Sequence, residues 1–199
     1  MNLRQKLLQA GLEIVDQSGS KNISLRQLAD QCGVTHNSPY RHFKNKNEYL
    51  WALKQEISLL FGNEISKQVA DKQSADQALV QLGVNVVRFA TNHPNYFAEL
   101  FYPDQDVPIN LETGMVECNY NAPGLDKFTQ LVKQLKAENQ LQSPFNLIMI
   151  HFWSFIVGLA ILVQHQEQNQ FVERKISMQI ETMIKIYIDG DGKASPKIK

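Results

Sequence analysis

Residues 24–46 read SLRQLADQCGVTHNSPYRHFKNK, and their spacing decides the fold. Ser24 with Gln27 three positions later predicts a capping box opening a short helix, with Leu25, Leu28 and Ala29 on its apolar side. Gly33 stands where the chain must turn sharply, which glycine does without a Cβ penalty. Thr35 can cap a second short helix, and Asn45 with Glu48 forms a second capping box that starts a longer one running to about Gln68. Upstream, Leu3, Leu7, Ala10 and Ile14 share one face of a first helix that ends near Gly19. Leu28, Ala29, Val34, Tyr40 and Phe43 are expected to pack against it.

Two short helices meeting around Cys32-Gly33-Val34 read as a helix–turn–helix, a unit that places one helix in the DNA major groove. Thr35, His36, Asn37 and Arg41 then project outward. Asn and Arg can pair bidentately with adenine or guanine edges, and a Thr methyl can touch a thymine methyl. Tyr40, His42, Lys44 and Lys46 suit phosphate oxygens, and the start of the helix after Asn45 offers N–H groups for another phosphate. The charge agrees. Residues 1–50 hold seven Lys/Arg against four acids, while the whole chain of 199 residues has a net charge of zero, so a basic head sits on a slightly acidic body.

The stretch resembles the N-terminal domain of the tetracycline-repressor-like (TetR/AcrR) regulators. Ser24, Leu28, Ala29, Gly33, Val34, Thr35, Tyr40, His42, Phe43 and Lys46 fall in register with that family's pattern over about residues 3–55. The resemblance implies that Ser24 and Arg26 lie near phosphates, that residues 35–41 enter the groove and that Lys46 clamps the backbone. Pro39 departs from the pattern, which usually has an apolar residue such as Leu there. It falls in the first turn of a short helix, where the lost N–H is tolerable.

The rest of the chain reads as helix: about 75–92, a short aromatic helix at 93–102, then about 124–140, 144–166 and 171–188. Residues 103–123, with Pro103, Pro108, Gly114 and Pro123, read as a long loop. The expected class is all-α with about nine helices: a DNA-binding domain at 1–50, a helical ligand-binding and dimerisation domain at 51–190 and a disordered tail at 191–199. Ser143-Pro144 looks like an N-cap with proline at the first helical position.

The run LIMIHFWSFIVGLAILV at 147–163 carries no formal charge. It is shorter than the ~20 apolar residues of a bilayer span, contains His151, Ser154 and Gly158, and reads as a buried helix. Being apolar all round, it must be covered on both sides. Ile176, Ile180, Met183, Ile184 and Tyr187 make a further apolar stripe. These eighth and ninth expected helices, paired between two copies, would make a four-helix interface. The family resemblance implies the same homodimer, and two half-sites about 34–36 Å apart require one.

Phe89, Phe97, Phe101, Tyr102, Phe128, His151, Trp153 and Phe155 are the candidate walls of a small-molecule pocket. HPNYFAELF at 93–101 and WSFIVGLA at 153–160 resemble a TetR subgroup named for a Trp–His–Gly signature, with Val157 where that His is expected. Cys32 and Cys118 lie far apart and suggest neither a disulfide framework nor a metal site, so a reduced cytoplasmic protein is expected. The N-terminus mixes Arg4, Lys6 and Glu13 into its apolar pattern, unlike a signal peptide. His36, His42, His93, His151 and His165 show no H-E-x-x-H spacing, and neither G-x-S-x-G nor a P-loop occurs. No metal, cofactor or catalysis is expected. The sequence thus predicts a ligand-responsive regulator of transcription, most simply a repressor released from a palindromic operator by an apolar or aromatic effector. The alternatives are an all-helical enzyme or a membrane-associated protein using the apolar bundle.

Overall fold

In the computed structural model, residues 1–69, 73–101, 109–110, 115–116, 123–164 and 172–191 are described. Helix α1 (Leu3–Ser18) starts at a capping box in which Asn2 Oδ1 accepts from Gln5 N and the Gln5 side chain accepts from Asn2 N. It stops at Gly19, whose φ of 74° is left-handed. Helix α2 (Leu25–Gln31) follows. Ser24 has the extended N-cap backbone, but no side-chain cap bond forms, so the first expected capping box is absent. Gly33, with φ 68°, makes the turn; its N–H bonds to Asp30 O, and Val34 N–H bonds to Ala29 O.

The second short helix is not an α-helix. Residues 35–38 form a turn closed by Ser38 N–H to Thr35 O at 2.8 Å, and Pro39–Arg41 is a single 3₁₀ turn. Proline has no N–H to return to Thr35 O, so the 39-to-35 bond of an α-helix is absent, and His42 N–H and Phe43 N–H both close on Pro39 O. Helix α3 (Lys46–Ile65) then begins at Asn45, whose Oδ1 accepts from Glu48 N at 2.9 Å. Glu48 answers one residue earlier than a capping box requires, accepting from Lys44 N.

The body comprises α4 (Ala75–Asn92), α5 (Pro94–Phe101), α6 (Pro123–Glu138), α7 (Phe145–Gln164) and α8 (Glu173–Gly190). Between α5 and α6, in the expected loop, Ile109–Asn110 pairs antiparallel with Met115–Val116. The fold is otherwise all-α, as expected. Helix α4 is its axis, packing on α3, α5, α6, α7 and α8. Leu79, Leu82, Val86 and Val87 are fully buried. Gly83 is small for a reason: a Cβ there would lie 2.8 Å from Ile180 Cδ1 of α8.

Helix α7 is long and apolar enough by composition to cross a bilayer. Its Ile148, Phe152 and Ile156 are buried in the bundle, whereas Leu147, His151, Ser154 and Leu162 are exposed along the opposite side. Ser143 precedes the helix and turns its hydroxyl to the end of α8. Its hydroxyl bonds to Asp191, whose carboxylate also accepts from the N–H groups of Gln142 and Ser143. Asp191, placed with the tail by the sequence, therefore ties the end of α8 to the start of α7; residues 192–199 lie outside the described residues. Burial opposes the Asp191 charge, but these bonds and Lys136 outweigh it and hold the carboxyl below its usual range.

Candidate DNA-reading interface

The head is held by a small apolar core. Leu7, Leu28 and Ala29 are fully buried, and Phe43 meets Tyr49 edge-on with ring centroids 5.0 Å apart. The Tyr49 hydroxyl donates to Leu7 O at 2.7 Å, which fixes α3 to α1. Burial, aided by Cys32, pushes the Tyr49 phenol far above its usual range. The Arg4 guanidinium sits 5.3 Å from the centre of the Phe43 ring.

Tyr40, expected both to pack here and to suit phosphate, does not join this core. It is 51% exposed, and Pro39 is buried in its place. The 3₁₀ turn sends adjacent residues in different directions from those an α-helical turn would give. Tyr40 consequently lines the outer surface together with Arg26, Asp30, Val34, Thr35, His36 and Asn37, around a concavity of about 640 Å³. The structure thus brings five sequence-predicted residues together: Arg26, Thr35, His36, Asn37 and Tyr40. Arg41, His42, Lys44 and Lys46 are exposed beyond it, and Ser24 is half-buried at the start of α2.

Two contacts order this surface. Thr35 Oγ1 lies 2.9 Å from Ser38 Oγ, and His36 Nε2 lies 2.8 Å from Asp30 Oδ1. Asp30 escaped the sequence reading because it lies on α2; the turn at Gly33 brings it back over His36.

Four of the aromatic candidates of the body, Phe97, Phe101, Phe128 and Trp153, form one cluster. Phe97 and Phe101 centroids are 4.6 Å apart, Phe101 and Trp153 5.7 Å, and Phe128 and Trp153 5.1 Å. Phe89, Phe97, Phe128 and Trp153 are buried; Phe101 and Phe155 are half-buried. His151 does not join them. It is exposed on α7 with its ring 5.6 Å from Tyr187, so its expected role as a polar pocket wall is corrected. Tyr102 lies outside the described residues, as do Cys118 and His165. The sequence reading missed Phe61, which meets Phe89 at 5.1 Å and Phe101 at 5.2 Å. The signal was the i, i+4 stripe Leu53, Ile57, Phe61, Ile65 on α3, all buried.

The other face of α5 grips α1. Tyr96 donates its hydroxyl to Leu12 O at 2.9 Å, Asn95 Nδ2 donates to Asp16 O at 2.8 Å, and His93 Nδ1 lies 3.0 Å from an Asp16 carboxylate oxygen. Burial, with Asp16 and Glu13 nearby, pushes the Tyr96 phenol up to about 12. Helix α5 thus touches the aromatic cluster on one side and the reading head on the other.

Residues 7–53 match the family described as bacterial regulatory proteins, tetR family. The chain is 24% identical over 192 residues to the uncharacterized HTH-type transcriptional regulator YobS of Bacillus subtilis (strain 168), covering 92% of each chain. A putative TetR-family transcriptional regulator from Rhodococcus sp. has the same fold, with a TM-score of 0.66, 14% identity and coverage of 93% of this chain and 98% of that one. So does the Bacillus subtilis transcriptional regulator FadR solved with stearoyl-CoA, at a TM-score of 0.61, 14% identity and coverage of 94% and 98%. These matches place a tetR-family helix–turn–helix region at residues 7–53 and give the chain the fold of proteins described as TetR-family transcriptional regulators.

Proposed function

We propose that the protein is a ligand-responsive repressor that binds a palindromic operator as a cytoplasmic homodimer. The observation that carries the reading is the outer surface of the head, where Arg26, Thr35, His36, Asn37 and Tyr40 converge. Asn37, Arg41 and the Thr35 methyl supply base contacts; Ser24, Arg26, Tyr40, His42, Lys44 and Lys46 supply phosphate contacts; His36 faces the groove beside them. Residues 1–50 act as the reading domain and 51–190 as the sensing and pairing domain, with α3 running from one into the other.

The exposed sides of α7 and α8 pair the two copies. Leu147, Leu162, Met178 and Ile186 are all more than a third exposed there, and the space beside Gly158 is open to another helix. An apolar effector lodges among Phe97, Phe101, Phe128 and Trp153. The FadR neighbour, solved with stearoyl-CoA, supports an apolar ligand class. Displaced rings would push Phe61 and, with it, α3. A coupling of about 1–3 kcal/mol gives a 5–150-fold loss of DNA affinity.

Selection of bound duplexes from a random pool tests the reading. It should return an inverted repeat whose half-site centres lie one or more helical turns apart. A single half-site without symmetry, or no enrichment, would sink it.

A further inference from the structure

We infer that a polar strut centred on Asn85 sets which half-site spacing the regulator accepts. Asn85 is on the central helix α4 and is only 3% exposed. Its Nδ2 donates to Ile65 O at 3.0 Å and to Lys67 O at 2.7 Å, the carbonyls that end α3. Its Oδ1 accepts from Gln81 Nε2 at 3.0 Å and from Arg88 NH1 at 3.0 Å. The second guanidinium nitrogen of Arg88 reaches Glu173 Oε2, the first residue of α8, at 2.7 Å. One connected set of bonds therefore runs from the end of the reading arm α3, through α4, to the start of α8.

The geometry around it is stiff. Gln81, Asn85 and Arg88 occupy one stripe of α4 at i, i+4, i+7. Two residues before Asn85, Gly83 lets Ile180 of α8 approach the α4 backbone within 2.8 Å of where a Cβ would stand. Both donors and both acceptor sites of the Asn85 amide are engaged, the condition under which a buried polar network rigidifies its surroundings. A helix can swing about its anchored end, so a loosened end of α3 would let the head take up more positions. The inference rests on the proposed dimer, in which α8 belongs to the pairing surface and α3 carries the head. A base pair added between half-sites moves and rotates one head's target by about a tenth of a helical turn. A stiff strut rejects that change, and a slack one tolerates it.

The test uses the full-length protein and duplexes bearing its selected operator, with spacers shortened or lengthened by one and two base pairs, plus a single half-site duplex. The variants are Asn85→Ala, Arg88→Met and Glu173→Gln. Glu173→Gln alters only the exposed end, so it folds even if Asn85→Ala does not; Arg88→Met also removes one of the two bonds to Asn85 Oδ1. Wild type should prefer one spacing. Asn85→Ala should narrow that preference about fivefold or more, the lower end of coupling through one contact network. Glu173→Gln should narrow it least, because its end of the ion pair is exposed, and Arg88→Met should fall between the two, because a bond to Asn85 Oδ1 goes with it. Half-site affinity and sedimentation as a dimer should not change. Unaltered spacing preference in all folded variants, or a loss shared equally by every duplex including the half-site, would overturn the strut. A wild type indifferent to spacing would overturn the dimer reading first, and the strut with it.

Discussion

The Tyr49 hydroxyl occupies the space that a side chain at Gly11 would need: a Cβ built on Gly11 overlaps the phenol oxygen. The same hydroxyl donates to Leu7 O, one helical turn earlier on α1. Gly11 is therefore present for the close passage of α3 over α1, despite being a poor helix residue by about 1 kcal/mol. Gly11→Ala should destabilise the protein by about 1–3 kcal/mol, the cost of overpacking. Tyr49→Phe alone should cost about 1 kcal/mol for the lost bond. The double variant should be more stable than the sum of the two losses, because removing the oxygen relieves the shortest overlap and leaves only the ring carbon Cζ at 2.9 Å and Leu53 Cδ2 at 3.0 Å. Urea unfolding of the four proteins checks this; strict additivity would show that the overlap is not what excludes alanine.

Pro39 should govern how the head presents its bases. Restoring an N–H with Pro39→Ala permits the 39-to-35 bond and hence an α-helical second element. Asn37, Tyr40 and Arg41 would then point differently. The expected outcome of a new selection is an altered half-site, with the dimer retained and a modest fall in thermal stability. Recovery of the same half-site at unchanged affinity would refute the link between the 3₁₀ turn and base choice.

Much of this was legible because local rules dominate the head. The turn at Gly33, the Asn45 cap and the apolar faces of α1 and α2 follow from short-range spacing, and the observed boundaries agree closely. Apart from the Ser24 capping box, what differed was non-local or lay beside Pro39. Tyr40 is assigned by the sequence both to packing and to phosphate contact, and only the tertiary structure, which exposes it and buries Pro39, separates the two. His151 sits on an apolar helix, and periodicity alone could not say which side the bundle would cover. The partnership of Asn85 with α3, 18 and 20 residues away in sequence, had no local signature.

The residues proposed to read bases and those proposed to hold phosphates should separate by their salt dependence. Asn37→Ala and Arg41→Ala should each cost about 1–3 kcal/mol on the selected operator and relax preference at one position, as lost base contacts do. Lys46→Ala should weaken every sequence alike and reduce the slope of log affinity against log salt by about 2, one phosphate contact being lost in each subunit of the proposed dimer. Titrations at several salt concentrations, on specific and random duplexes, read both quantities. A uniform loss for Asn37→Ala would move that residue from the bases to the backbone.

Tyr96 joins α5 to α1, and its phenol makes that joint sensitive to alkali. An unfolded tyrosine ionises near pH 10, whereas burial, Asp16 and Glu13 hold Tyr96 up to about 12. The folded state thus keeps a proton that the unfolded state has lost. The stabilisation is whole below about pH 10 and is lost as pH rises through about 12, with a slope of at most about 1.4 kcal/mol per pH unit. Tyr96→Phe lacks this titration. At neutral pH it should be less stable than wild type by about 1 kcal/mol, because the bond to Leu12 O is gone. Between pH 10 and 12 the gap should close and can reverse, since only wild type gives up the proton. Urea midpoints for both proteins at pH 7, 10.5 and 11.5 measure the effect. A gap that stays constant or widens with pH would mean that the Tyr96 phenol is not held protonated by the α1–α5 contact.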